Sequence, residues 1–110
     1  MSSTVIVKMN TCSKTHRITV SLRDDGDLDV SITSDCKNVQ AYAERITRLT
    51  MDDVTEFCNS AINAPDARSL LSLPCLVHTG IFDAAWIELG ILSKSLCEKV
   101  GSNEVLLNPE

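Results

Sequence analysis

Two alternating segments around an acidic turn constrain this chain more than any other feature. Ile18, Val20 and Leu22 alternate with Thr19 and Ser21, and after Asp24-Asp25-Gly26-Asp27 the alternation resumes at Leu28, Val30 and Ile32. A period of two gives each strand one buried and one solvated face. Gly26 is free to take positive φ, so the segments predict an antiparallel hairpin whose first strand begins at about Arg17. Thr4-Val5-Ile6-Val7-Lys8-Met9 is rich in β-branched residues and adds a strand ahead of it, joined by the polar loop Asn10 to His16.

The second half has helical spacing. Ser34 and Asp35 are good N-cap residues, so Cys36 opens a helix along which Val39, Ala43, Ile46 and Leu49 share a face. Thr50 and Asp53 have the spacing of a capping box, and Val54, Phe57, Cys58, Ala61 and Ile62 form another apolar stripe. Asn63-Ala64-Pro65-Asp66 breaks that pattern, with Asp66 as a cap for a short helical turn through Leu71. From Leu73 to Leu92 runs the stretch expected to hold the main buried helix, with Ile81, Ala85, Leu89 and Leu92 three or four apart. Gly90 is its candidate C′ residue, or else the helix runs through it. Leu92, Leu96 and Val100 continue the face, and Val105-Leu106-Leu107 is either an edge strand or a tail. The expected architecture is a single α+β domain over 1–110: an N-terminal three-stranded antiparallel sheet with C-terminal helices packed on one face.

Composition narrows the classes of function. Among 110 residues, 44% are hydrophobic and 23% charged, as in folded globular proteins. A net charge of −5 and 4% aromatics argue against phosphate tracking and base stacking, so no nucleic-acid partner is expected. No apolar run approaches the ~20 residues of a membrane span. Met1-Ser2-Ser3-Thr4 lacks the basic start of a signal peptide, which predicts a cytoplasmic location. Gly-rich nucleotide motifs and hydrolase motifs are lacking.

Five cysteines are an odd number for a disulfide framework and read as free thiols. If strand one runs up, the Cys12 loop lies at the top, and strand three returns to the top just before Cys36. Cys75 precedes the helix that covers the sheet, and in a helix start its thiol would meet unpaired N–H groups that lower its pKa. His78 follows three residues later. Cys12, Cys36, Cys75 and His78 are thus the candidate metal ligands, a set suited to zinc or, through its thiolates, to an iron–sulfur cluster. The plainer reading of these cysteines is that of small buried hydrophobes. Packing is the expected role of Cys58 and Cys97, solvation that of His16 in its polar loop, and core that of Phe82 and Trp86. The acidic turn lacks a bidentate Glu at the end position of a calcium loop and reads as solvated.

The segments Ile32-Thr33-Ser34-Asp35-Cys36-Lys37-Asn38-Val39 and Pro74-Cys75 through Glu88-Leu89-Gly90 resemble an uncharacterised family of small cysteine-containing proteins from anaerobic prokaryotes, mainly methanogenic archaea. The resemblance implies an α+β fold and a shared trio of thiols at Cys12, Cys36 and Cys75, without an established activity. Two departures stand out. No glycine flanks Cys12 in Asn10-Thr11-Cys12-Ser13, and Pro74 precedes Cys75 where the family has a Cys-Pro-x-Pro turn. That turn is also similar to the one in sulfur-carrier proteins of the TusA type, an analogy weakened here by Leu76 in place of the first proline.

Three functions remain in view: a metal-binding protein, a thiol, persulfide or redox protein using Cys75, and an interaction module with no site chemistry, whose partner would be another protein or a second copy. The last would carry an exposed apolar patch on the open sheet face or along Leu96 to Leu107.

Overall fold

In the computed structural model, which describes residues 1–108, the hairpin forms as β2 (Lys14–Leu22) and β3 (Leu28–Ser34). Their register runs from His16 opposite Ser34 to Leu22 opposite Leu28. Gly26 takes φ +93°, and Arg23 N–H closes the turn on Asp27 O at 2.8 Å. β1 (Ser2–Met9) pairs antiparallel with β2, Met9 opposite Lys14.

The sheet has four strands, not three. α1 (Lys37–Arg45) stops earlier than its apolar spacing predicts, and Arg48–Leu49 form β4 along the outer edge of β3, which leaves the sheet in the order β1-β2-β3-β4. Leu49 is fully buried from this strand instead of from a helix. The free edge of β3 needs partners for its backbone groups, and Thr47 C=O and β4 supply them, Val30 N–H reaching Thr47 O at 2.9 Å. Arg48 bonds Asp25 and Asp27 across the turn, while Arg23 bonds Asp25 and Asp29. Arginines therefore occupy the acidic turn, in exposed pairs that solvent screens and that add little stability.

The capping box forms: Thr50 and Asp53 bond reciprocally at the start of α2 (Met51–Thr55). The stripe beyond it does not. Asp53 Oδ1 accepts Ala61 N–H at 2.9 Å and the Ser60 hydroxyl bonds Asp53 C=O, folding the chain back into a 3₁₀ turn over Ala61–Asn63. Phe57 is consequently 79% exposed and Cys58 lies on the surface, contrary to the packing expected of both. α3 (Pro65–Arg68) starts with Pro65 and has Ala64 as its N-cap, so Asp66 sits in its first turn and does not cap it.

α4 (Val77–Glu88) is the main buried helix; it lies across β1 and β2 on one sheet face, where Ile81, Ala84 and Ala85 are inaccessible to solvent. Gly90, at φ +76°, ends it as a C′ residue. The core is the helix-facing side of the sheet, with Val7, Ile18, Val20, Leu28 and Val30 meeting Val39, Tyr42, Ile46, Ile62 and Ile81. Tyr42, wholly buried, donates its hydroxyl to Ile62 O at 2.7 Å. The opposite face displays Thr4, Ile6, Arg17, Ser31 and Thr33 to solvent, so the open sheet face is mainly polar.

α5 (Lys94–Val100) buries no residue, and Leu96 and Val100 are exposed, not part of a continued core face. Residues 101–108 form no regular structure, so Val105-Leu106-Leu107 is a tail. Among the described residues no helix is long and apolar enough to cross a membrane.

Candidate functional site

The direction of α4 follows from its far end. Glu88 accepts the Ser3 hydroxyl at 2.8 Å and Leu22 N–H at 3.0 Å, which fixes the helix C-terminus at the end of the sheet nearest the hairpin turn. Twelve helical residues span about 18 Å, so Val77 and the preceding Cys75 lie at the other end. That is the end where β1 turns through Asn10 to Ser13 into β2, and where β3 passes through Cys36, the N-cap residue, into α1. Three segments distant in sequence thereby bring Cys12, Cys36 and Cys75 to one edge.

The electrostatics agree with that placement. Burial pushes the Cys75 thiol up from its ordinary value. The Val77 N–H and Arg68 pull it down, while the Cys12 and Cys36 thiols add a like-charge push. Cys12 and Cys36 are each within electrostatic reach of Cys75. The lowered pKa expected at a helix start is not found, because desolvation outweighs the helix N–H. The thiols share a neighbourhood without forming a coordination set: among the described residues, no group of three or more His, Cys, Asp or Glu is placed to hold a metal ion.

Each candidate sits differently. Cys12 is exposed on a turn held by weak contacts, its Sγ–H 3.6 Å from Met9 O and Ser13 N–H 3.4 Å from Asn10 O. Ser13 takes φ +58°, the left-handed conformation that a flanking glycine would supply more cheaply. Cys36 is half-buried, and its N–H donates to Ser34 Oγ at 2.9 Å. His78 is half-buried, with its Nδ1 out of contact with water. Burial, then the Arg68 charge, hold its pKa down, against a backbone contact to Cys75 that raises it. Cys97 is half-buried on α5, and all five cysteines are free.

Two residues acquire significance only in three dimensions. His16 is not solvated: it is 1% exposed, its Nδ1 lies 2.7 Å from Ser34 Oγ, and its Nε2 is buried without a partner. The signal was present in the hairpin, since His16 shares the parity of Ile18 and Val20. Arg68 acts electrostatically on Tyr42, Cys75 and His78, and nothing in the sequence distinguishes it from other basic residues. Trp86 is 38% exposed, not core; its Nε1–H donates to Val54 O at 2.7 Å. With half-buried Phe82 and exposed Phe57 it lines an open hollow of about 230 Å³.

A protein-family model described as a family of unknown function (DUF6951) matches residues 3–100. No curated protein and no solved structure shows a significant match.

Proposed function

Since the chain belongs to that family of unknown function, DUF6951, whose description names no activity, we propose from its own residues that it binds a thiophilic metal centre, zinc or an iron–sulfur cluster, through Cys12, Cys36 and Cys75. What supports this reading is that Cys12 and Cys36, at the ends of β1 and β3, both act on the thiol of Cys75, which precedes α4. The neighbouring thiols add to the rise at Cys75, and a bound cation would reverse it by stabilising the thiolate. The donors are right in kind, soft sulfur in a set of three, with the fourth position open to His78 or to an outside ligand. Cys12 is the donor that must move inward, and its exposed, weakly tied turn is the part of the site best able to do so.

Elemental analysis of untagged protein purified without oxygen tests the proposal. About one metal centre per chain is expected in wild type and far less in Cys36→Ser. Metal near zero in both, and after reconstitution with zinc or with iron and sulfide, overturns it.

A second reading rests on a separate observation, the absence of any buried residue in α5. A helix with Leu96 51% and Val100 57% exposed, followed by the apolar tail residues Val105, Leu106 and Leu107, has the composition of a protein-binding surface. Light scattering at increasing concentration, with Leu96→Lys as control, reports whether a second copy covers it.

A further inference from the structure

The chain has one Trp, one Tyr and two Phe, and of these only Tyr42 belongs to the core. The other three come from two separate segments and line the same open hollow of about 230 Å³, together with Val54 and Glu56. Phe82 and Trp86 are four apart on α4 and so share a face of that helix. The indole is held in place by its Nε1–H, which donates to Val54 O at 2.7 Å. Phe57 follows the end of α2, where the chain folds back toward Ala61, and its ring is left 79% exposed. A phenylalanine kept in water beside two other rings forgoes the burial that the core would have given it.

The charge around the hollow has one sign. Residues 51–57 and 77–88, the segments that build it, carry Asp52, Asp53, Glu56, Asp83 and Glu88 and no lysine or arginine. Glu56 is the carboxylate on the lining itself, and it makes no ion pair among the described residues. Aromatic faces are the negative side of the ring quadrupole, so the rings and the carboxylate favour the same guest: a positive charge with an apolar surface.

We propose that Phe57, Phe82, Trp86 and Glu56 form a binding site for a small organic cation of the quaternary ammonium class. Such a cation spreads its charge over methyl groups, meets ring faces by cation–π attraction and fills an apolar hollow at the same time. A compact ammonium such as that of lysine is strongly hydrated and gains less from a wall of rings. The volume is below the about 300–1,000 Å³ of sites for drug-sized ligands, which suits a methylated head group. The site uses no cysteine and no residue of α5, so it stands or falls independently of the metal and protein-surface readings.

Trp86 is the single tryptophan, so its fluorescence reports on the hollow directly. The test is a titration of the full chain with choline chloride at constant ionic strength, beside one with 3,3-dimethyl-1-butanol, which has the same shape without the charge. Expected are a saturable change in emission with choline and at least tenfold weaker binding of the neutral analogue. Phe57→Ala should weaken choline binding at least tenfold and Glu56→Gln severalfold. Both side chains are exposed, so both variants should keep the fold, which circular dichroism checks. An emission that does not change or that changes only linearly with choline overturns the site, as does equal binding of the neutral analogue. Unchanged choline affinity in either variant overturns it too.

Discussion

Gly80 lies so close to Val7 that a Cβ built on it would stand 2.5 Å from Val7 Cγ2, and 2.7 Å from Ile18 Cδ1. Helix α4 therefore rests on the sheet at backbone distance, through the one helix residue without a side chain. Ile18 could move its terminal methyl, but the stiff, branched Val7 cannot yield as far. Gly80→Ala gains about 1 kcal/mol of helix propensity and loses more to overpacking, for a net destabilisation of about 1–2 kcal/mol. Chemical denaturation checks the sign. Cys75 lies two residues ahead of the displaced helix, so the variant should label faster at that thiol.

Tyr42 ties α1 to the 3₁₀ turn through its buried hydroxyl. Tyr42→Phe keeps the ring packing but leaves Ile62 C=O without this bond, so a loss of about 1–2 kcal/mol is expected. An unchanged denaturation midpoint would mean that another donor reaches that carbonyl.

The hairpin and α4 were legible because their signals are local: a period of two around a glycine turn, and apolar residues three or four apart ahead of Gly90. β4 was not, because two residues become a strand only when a neighbouring edge needs partners. The stripe from Val54 to Ile62 misled for a related reason: Asp53 reaches across eight residues to Ala61 N–H, and no periodicity registers that competition. At the candidate site, topology alone placed the ends of β1 and β3 together, but among the described residues the thiols there are not grouped as ligands. The direction of the Cys75 pKa was not legible, since a helix start argues for a reactive thiol while burial, which only the fold reveals, argues against one. Arg68 was invisible because its influence on Tyr42, Cys75 and His78 exists only once the chain is folded.

That balance at Cys75 predicts an order of reactivity. The thiolate is the reacting form, and burial with two neighbouring thiols keeps it scarce at neutral pH. With iodoacetamide under native conditions, exposed Cys12 and Cys58 should label first and Cys75 last, by roughly tenfold or more. Mass spectrometry of partially labelled protein reads the order. Labelling of Cys75 ahead of Cys12 would restore the thiol or persulfide reading, which the observed burial counts against.

His16 makes stability depend on pH in a direction that can be worked out. Burial lowers its pKa below 6.5 in the folded chain, Asp35 opposing only in part, while the unfolded chain keeps the ordinary value. Between those two values the unfolded state binds more protons, so stability falls as pH drops through about 6.5 and continues to fall until the folded pKa is reached. The slope approaches 1.4 kcal/mol per pH unit for each histidine so affected, and His78 is shifted the same way. Denaturation between pH 7.5 and 5.5, above the range where most carboxylates titrate, should therefore show decreasing stability. His16→Gln should flatten that slope, by at most one proton, whatever its effect at pH 7.5. Because the Ser34 hydroxyl both contacts the His16 ring and accepts Cys36 N–H, protonation of His16 should also loosen the start of α1. Faster amide exchange at Cys36 at pH 5.5, after correction for intrinsic rates, is the accompanying observable, and an unchanged protection factor would uncouple the two.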